Sequence, residues 1–327
     1  MVAIMARWMG MCLIGLATLA LAAPTRAQTF PERPIRLIVP QGAATATDIF
    51  ARQIAPKVAE LLGQPVVIDN RPGAGGIIGT ELVAKAAADG YTLTLGGGQT
   101  HAINKSLYSK LPYDPIANFT PVARLGAQAM ILVTNSSLPV KSVAELIAYA
   151  NTRKGKLNFA STGSGTSAHL TGELLNAETG LRIAHVPYKS AAQALTDLIS
   201  GEITLMFYPF IALQSQIQAG KLNVLATAGP QRSAYLPQTP TMVESGFPGF
   251  VVSAWFAVYA PAGTPRTIVD TLYSAFERAL TDPEIVRKLA AAGTDVYLAA
   301  PDELGRFTRS EIERFRKLVE LSGAKAE

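Results

Sequence analysis

Two segments of the sequence place hydroxyl side chains at the start of a predicted helix. Residues 39–48 and residues 161–169 each join a predicted strand to a predicted helix. The first amide groups of a helix have no partner within the helix, and the helix dipole makes that end positive. A carboxylate can therefore be held at such a helix start without a cationic side chain.

An ordinary capped helix or a flexible turn would show the same local patterns. Thr45 followed by Asp48 fits a capping pair, and Gly163 and Gly165 let the backbone approach a ligand closely. Asp48 is expected to be a structural residue of the helix cap, because an acid would repel a carboxylate. Two such openings are more informative than one, since ligands of parallel α/β sheets bind beyond the carboxyl ends of the strands.

We therefore predict a carboxylate-binding cleft between two lobes, with one helix opening on each side. The residues expected to line it are Gln41, Ala43, Thr45 and Thr47 from the first opening, Gln99 and Thr100 from a polar segment after another predicted strand, and Ser161, Ser164, Gly165, Thr166, Ser167 and His169 from the second opening. A plain loop would explain the segment around Gln99 equally well.

The elements that must position these residues are short apolar strands that alternate with helical patterns. The pattern predicts strands over 35–39, 65–69, 91–95, 129–134, 157–160, 183–186, 203–207 and 224–228, and helices over 50–62, 78–88, 143–150 and 167–177. Pro265, Pro283 and Pro301 mark the first positions of three later helices. This alternation favours parallel sheets covered by helices on both faces. The length suggests two domains, joined by crossing strands because no long linker is present.

Catalytic and metal-binding signatures are sparse. None of the three histidines, His101, His169 and His185, has metal-ligand spacing to another, and the nucleophile-elbow motif of serine hydrolases is absent from the sequence. The sequence alone does not exclude a serine triad whose residues come together only in the folded chain. The glycine-rich stretch 73–79 follows the second strand, and no acid ends a strand at the distance that a dinucleotide site needs. We predict no cofactor, no metal and no catalytic residue.

The first 27 residues have the order of a secretory signal peptide. Arg7 precedes an uncharged apolar run from Met9 to Ala23, and small residues lead to Ala27. The run is short for a membrane span of about 20 residues, and a membrane anchor is the alternative. We expect cleavage near Ala27 and export to the periplasm.

The composition of the remaining chain excludes several classes of protein. It keeps 27 basic and 24 acidic side chains, a net charge of +3, and it loses Cys12, the only cysteine. Without a basic block, nucleic-acid binding is not expected. A mild positive charge suits an anionic ligand. A monomer is the expected state.

Motifs throughout the mature chain resemble one family, the tripartite tricarboxylate transporter receptors, also called Bug proteins. The matching motifs are PIRLIVP at 34–40, ATD at 46–48, GQPVV at 63–67, NRPGAGG at 70–76, DGYTL at 89–93, LPYDP at 111–115, HL at 169–170, HVPYK at 185–189, AGKL at 219–222 and APAGTP at 260–265. So many motifs in the same order make a chance match implausible.

The resemblance implies an α/β fold of the type 2 periplasmic-binding-protein class. Two lobes, each a central sheet flanked by helices, would be joined by two hinge strands, with 28–130 and 250–327 in lobe one and 131–249 in lobe two. It also implies a ligand carboxylate held by backbone N–H groups and closure of the lobes on the ligand. The implied ligands are dicarboxylates, tricarboxylates or aromatic carboxylates, and the implied partner is a two-subunit inner-membrane transporter.

The first loop departs from the pattern of the family. After the first strand the family usually has an aromatic residue and, further on, a Gly-Gly pair. Here Gln41 and the pair at 44–45, alanine and threonine, take these places, while Thr47 and Asp48 are kept. The change predicts a more polar ligand or a rearranged loop.

Two alternatives to a transport receptor remain at this level. A sensory receptor would present the same closed lobes to a membrane signalling protein. An exported hydrolase or isomerase on the same fold would need a base with a polarised partner, and the sequence offers no obvious pair. We predict a solute-binding receptor and not an enzyme.

Overall fold

A computed structural model describes residues 30–324 except 44, 189 and 234. The predicted signal segment, residues 1–27, lies outside the described residues. All the elements below belong to the unit that begins at Arg33.

The elements follow one another in the alternating order that the sequence predicts. They are β1 (Ile35–Val39), α1 (Ala46–Leu62), β2 (Val66–Asn70), a 3₁₀ turn (Ala74–Gly76), α2 (Ile77–Ala84), β3 (Thr92–Gly97), a π-helical turn (Gln99–Ile103), α3 (Asn104–Leu107), β4 (Phe119–Asn135), α4 (Val143–Thr152), β5 (Asn158–Ser161), α5 (Ser167–Thr179), β6 (Ala184–Pro187), α6 (Ala191–Ser200), β7 (Leu205–Pro209), α7 (Phe210–Gln218), β8 (Leu222–Thr227), β9 (Ser253–Pro261), α8 (Arg266–Thr281), α9 (Pro283–Ala291), β10 (Asp295–Ala299) and α10 (Pro301–Ser322).

The strands form two sheet regions that share β4. In lobe one, β1 is parallel to β2 and β3, while β9 runs antiparallel to β3 and β4. In lobe two, β5 is parallel to β6 and β7, and β4 pairs antiparallel with β7 and β8. Each parallel group therefore borders antiparallel strands, so the sheets are mixed, whereas the sequence pattern favoured parallel sheets.

Strand β4 passes from one sheet region into the other. Its first part pairs with β9 as far as Ala129, and its second part pairs with β7 from Met130 onward. The chain crosses back from lobe two to lobe one beside Met130. There Ala228 N donates to Met130 O at 2.7 Å, and Met130 N donates to Val252 O at 3.2 Å. The strand prediction covered only 129–134. Polar residues such as Arg124 and Gln128 interrupt the apolar run before that point and hid the earlier part of the strand.

The proline signals place two of the three late helices correctly. Helices α9 and α10 begin at Pro283 and Pro301, as predicted. Helix α8 begins one residue later than predicted, at Arg266, because Pro265 keeps an extended conformation with ψ of 140° and serves as the N-cap.

Helix α10 connects the cores of the two lobes. Its Phe315 lies in the core of lobe one with Trp255, and its Leu318 packs against both this core and the core of lobe two around Phe159 and Phe207. Each large apolar side chain of this kind contributes about 1.5–3 kcal/mol when it is fully buried.

Candidate ligand site

The first helix opening is capped by Thr45. Its Oγ1 accepts a hydrogen bond from the amide of Asp48 at 3.4 Å and donates to the carbonyl of Gly42 at 2.8 Å. Thr45 is therefore the N-cap of α1, and the amide that it binds is that of Asp48, as expected for a capping pair. Within the described part of the chain, the amides of Ala46 and Thr47 have no hydrogen-bond acceptor, as expected for the first turn of a helix.

Asp48 also fixes the loop through its side chain. It is only 2% exposed, and its carboxylate accepts hydrogen bonds from Arg52 Nε and from Asn70 Nδ2, both at 3.0 Å. Asn70 Nδ2 also donates to the carbonyl of Gln41 at 3.1 Å. The negative charge of Asp48 is thus matched within lobe one, and the same network holds the loop after β1 against the end of β2.

The second helix opening repeats the geometry of the first. Thr166 Oγ1 accepts from the amide of His169 at 3.4 Å and donates to the carbonyl of Gly163 at 2.8 Å. The amides of Ser167 and Ala168 have no acceptor among the residues that the structure describes. Both lobes therefore present a threonine-capped helix start with unbonded amides.

A pair of stacked imidazoles supports the second opening. The rings of His169 and His185 lie 3.8 Å apart, and His169 Nδ1 accepts from the amide of Gly165 at 2.9 Å. Ser161 Oγ lies 2.6 Å from His185 Nε2. Burial and the neighbouring His169 lower the pKa of His185 to about 4, so its ring is neutral at pH 7.

Ser161 and His185 are arranged like part of a hydrolytic triad, but the serine is not open to a substrate. Ser161 is fully buried, and its hydroxyl also donates to the carbonyl of Gly163 at 2.9 Å. The pair therefore fixes the turn after β5.

The polar segment after β3 divides into an open part and a buried part. Gln99 Nε2 donates to Asn104 Oδ1 at 2.7 Å, and Asn104 Nδ2 donates to the carbonyl of Gly75 at 3.1 Å. Thr100 is fully buried, and its Oγ1 lies 2.9 Å from Nδ1 of His101. Burial lowers the pKa of His101 to about 3, and its neutral ring stacks on Tyr259 at 3.9 Å.

Close backbone contacts bring these segments together. A β-carbon at Gly76 would lie 3.3 Å from the carbonyl of Pro40, and one at Gly75 would lie 3.5 Å from Asn104 Oδ1. The three segments that follow β1, β2 and β3 therefore adjoin. Lobe two reaches them through Gly165, where an added β-carbon would collide with Leu107 of α3.

The predicted site residues fall into three groups by exposure. Ala43 and Ser164 are exposed, those partly exposed are Gln41, Thr45, Thr47, Gln99, Thr166 and Ser167, and those buried are Thr100, Ser161, Gly165 and His169. The buried side chains have no surface for a ligand in this structure, because they fill the layer beneath the loops. Their assignment as lining residues therefore stays a prediction.

The sequence prediction missed Asn70, Asn104 and Leu107 as parts of the site. Asn70 ends β2 just as the first opening follows β1, so a polar residue at the end of a strand was a usable signal. Asn104 and Leu107 carried no such signal, because only the contacts with Gly75 and Gly165 assign their roles.

The described residues contain neither a metal-binding cluster nor a membrane-spanning helix. Across 30–324, with the three gaps above, no group of three or more His, Cys, Asp or Glu side chains is arranged to hold a metal ion. None of the described helices is both long enough and apolar enough to cross a membrane.

Comparison with known proteins identifies the class. The family described as "Tripartite tricarboxylate transporter family receptor" matches residues 50–323. Protein BugT of Bordetella pertussis is 40% identical over 322 residues, which cover 98% of this chain and 99% of that protein.

Solved structures agree with this similarity. MatC from Rhodopseudomonas palustris, solved with bound malate, is 34% identical with a TM-score of 0.79, over 89% of this chain and 100% of that chain. An R. palustris protein solved with adipate is 37% identical with a TM-score of 0.84, over 90% of this chain and 99% of that chain. The periplasmic binding protein BugD is 32% identical with a TM-score of 0.80, over 91% of this chain and 100% of that chain.

The fold and the paired helix openings define a two-lobed solute-binding receptor. The chain belongs to the tripartite tricarboxylate transporter receptor family, the Bug proteins. The predicted fold class is therefore confirmed, and so is the prediction of a receptor rather than an enzyme, because the family consists of solute-binding receptors.

Proposed function

We propose that this chain is an exported receptor that captures a small organic carboxylate between its two lobes and delivers it to a two-subunit inner-membrane transporter. The observation that carries the proposal is the pair of matched helix openings. Thr45 and Thr166 cap α1 and α5 in opposite lobes, and each helix start keeps unbonded amides. A carboxylate at each opening would receive these amides and the favourable end of a helix dipole.

The relatives and the first loop narrow the ligand class. Proteins of similar fold were solved with adipate and with malate. Gln41 Oε1 is buried and has no hydrogen-bond donor among the described residues. A ligand with a hydroxyl beside a carboxylate would supply that donor. We therefore expect a hydroxy acid such as malate to bind more tightly than a purely aliphatic diacid such as adipate.

Export and lobe closure complete the proposal. Residues 1–27 would direct the chain to the periplasm and be removed near Ala27. The remaining residues would move as two bodies, 28–130 with 250–327 and 131–249, about the crossing at Met130 and Val252. Closure requires that the ligand contact both openings, because only differential contacts favour the closed state.

A proline substitution at the first helical position tests the two openings directly. Proline is tolerated there but lacks the N–H, so Ala46→Pro and Ser167→Pro each delete one unbonded amide. The preceding residues accept a proline: Thr45 has φ −77° and ψ 163°, and Thr166 has φ −71° and ψ 158°. Hydrogen bonds to charged groups contribute about 1.5–3 kcal/mol, so each change should weaken binding about tenfold to a hundredfold.

The measurement is a thermal-shift titration of the purified protein with malate, adipate and aromatic carboxylates. A ligand at about 100 times its Kd adds about 2.7 kcal/mol of stability. Arg266→Pro is the matched control, because it makes the same change at the start of α8, away from the loops of the site. Equal binding of an acid and its amide, or equal affinity in all three variants, would contradict the proposal.

A further inference from the structure

A cavity of about 260 Å³ lies beside the crossing strands, away from the helix openings. Residues of β4, β9, β10 and α10 line it together with Gly229 and Pro230, which follow β8. None of the residues predicted to bind the ligand lines this hinge cavity. It therefore borders both lobes at the point where the chain crosses between them.

Arg124 brings a partly buried guanidinium to the hinge cavity. Its guanidinium lies 3.8 Å from the ring centre of Phe307 and 5.3 Å from that of Tyr297. Among the described residues it has no carboxylate at ion-pair distance, and its buried Nε has no acceptor. A buried N–H that lacks an acceptor is costly, and the oxygen of a bound anion would supply one.

Arg314 adds a second unmatched donor on the same wall. Its Nη1 donates to Glu311 Oε1 at 3.1 Å, but its buried Nη2 has no acceptor in the described part of the chain. The other oxygen of Glu311 accepts from Trp255 Nε1 at 3.0 Å. Both carboxylate oxygens of Glu311 are thus engaged, and among the described residues Arg124 Nε and Arg314 Nη2 are left without an acceptor.

We propose that the hinge cavity binds a small oxyanion between Arg124 and Arg314. Guanidinium groups suit the oxygens of sulfate, phosphate or a short carboxylate, which accept several N–H bonds at once. Two acidic side chains in the wall oppose such an ion: Glu311, which is paired with Arg314, and Asp295. Burial raises the pKa of Asp295, so its charge is the more easily removed by protonation.

Trp255 links the hinge cavity to the ligand site and provides a readout. Its indole donates to Glu311, and a β-carbon at Gly98 would lie 3.4 Å from its Nε1. The chain has two tryptophans, Trp8 and Trp255. In a W8F background the fluorescence therefore reports on the residue that adjoins the cavity.

The experiment is a fluorescence titration of the W8F protein with sodium sulfate at constant ionic strength. We expect a saturable change for this protein, with binding weakened at least tenfold by Arg124→Gln and by Arg314→Gln. Asp295→Asn should strengthen binding, because it removes one of the opposing charges. Arg278→Gln, an exposed arginine on α8, is the matched control and should leave the titration unchanged.

Three results would overturn the proposal. The first is a response that does not saturate, which would indicate a water-filled cavity. The second is an unchanged titration in Arg124→Gln, provided that its urea unfolding shows a folded protein. The third is displacement of sulfate by saturating malate, since sulfate would then occupy the cleft. If Arg124→Gln does not fold, Arg124→Lys replaces it and should still weaken binding because the forked donors are lost.

Discussion

The two helix openings share one local geometry and differ in what supports it. In each, a threonine accepts from the amide three residues on at 3.4 Å and donates to the carbonyl three residues back at 2.8 Å. In lobe one the supporting side chain is the carboxylate of Asp48, held by Arg52 and Asn70. In lobe two it is the imidazole of His169, stacked on His185. The cap is thus a local device, while its support depends on each lobe.

This difference has consequences for packing and for pH. The loop of lobe one is open around Gly42, where an added β-carbon would meet no atom of the described residues within 4 Å. The loop of lobe two is closed at Gly165, which has φ +74° and packs against Leu107. Lobe one relies on a charge network, and lobe two relies on a pair of stacked imidazole rings. This difference between the two loops can be tested by substitutions and by the dependence of stability on pH.

The largest effect is expected at the two glycines. Gly165→Ala places a β-carbon in the left-handed region and against Leu107, so we expect a loss of about 2–4 kcal/mol in the free energy of unfolding. It should also abolish ligand binding, because Leu107 is where the lobes meet. Gly42→Ala should change stability by less than about 0.5 kcal/mol. Urea unfolding measures both, and equal costs would remove the distinction between the loops.

The next effect is a loss of stability in acid that arises in lobe two. The pKa of His185 is about 4 in the folded chain against 6.5 ordinarily, so between these pH values only the unfolded chain takes up the proton. Stability should therefore fall by about 1–3 kcal/mol as the pH drops from 6.5 to 4, allowing for partial exposure of the ring.

His185→Gln separates this contribution from the others. Its stability should vary less with pH over that range than the stability of the parent protein. Some dependence of stability on pH should remain in this variant. It is expected from His101, whose pKa is about 3 in the folded chain, and from Glu173, whose pKa is lowered in part by its interaction with His169. A slope as steep as that of the parent would show that the imidazole stack is not the source.

The smallest effect concerns the caps themselves. Thr45→Ala and Thr166→Ala each remove one capping hydroxyl, and we expect each to cost about 1 kcal/mol in urea unfolding. The two costs should agree within about 0.5 kcal/mol, since the hydrogen-bond geometry is the same. A much larger cost at one opening would show that the threonine there also holds tertiary contacts.

The sequence alone was enough for features that depend on local spacing. Thr45 could be recognised at a helix start because a cap needs only a hydroxyl and an amide three residues away, and the second helix could be predicted from residue 167 onward. Pro283 and Pro301 could be placed at first helical positions because proline restricts its own backbone. The alternation of strands and helices follows from apolar periodicity, and it led to the fold class. The proposed domain boundaries remain a prediction.

Tertiary structure decided which of the polar residues are open to a ligand. Thr100, Ser161 and His169 have the same composition and spacing signals as their exposed neighbours, yet they lie beneath the loops. The hinge cavity was equally invisible, because it gathers Arg124 and Arg314 from elements far apart in the chain. Burial is set by contacts between distant segments, such as Gly165 with Leu107, and no local pattern in a single sequence carries that information.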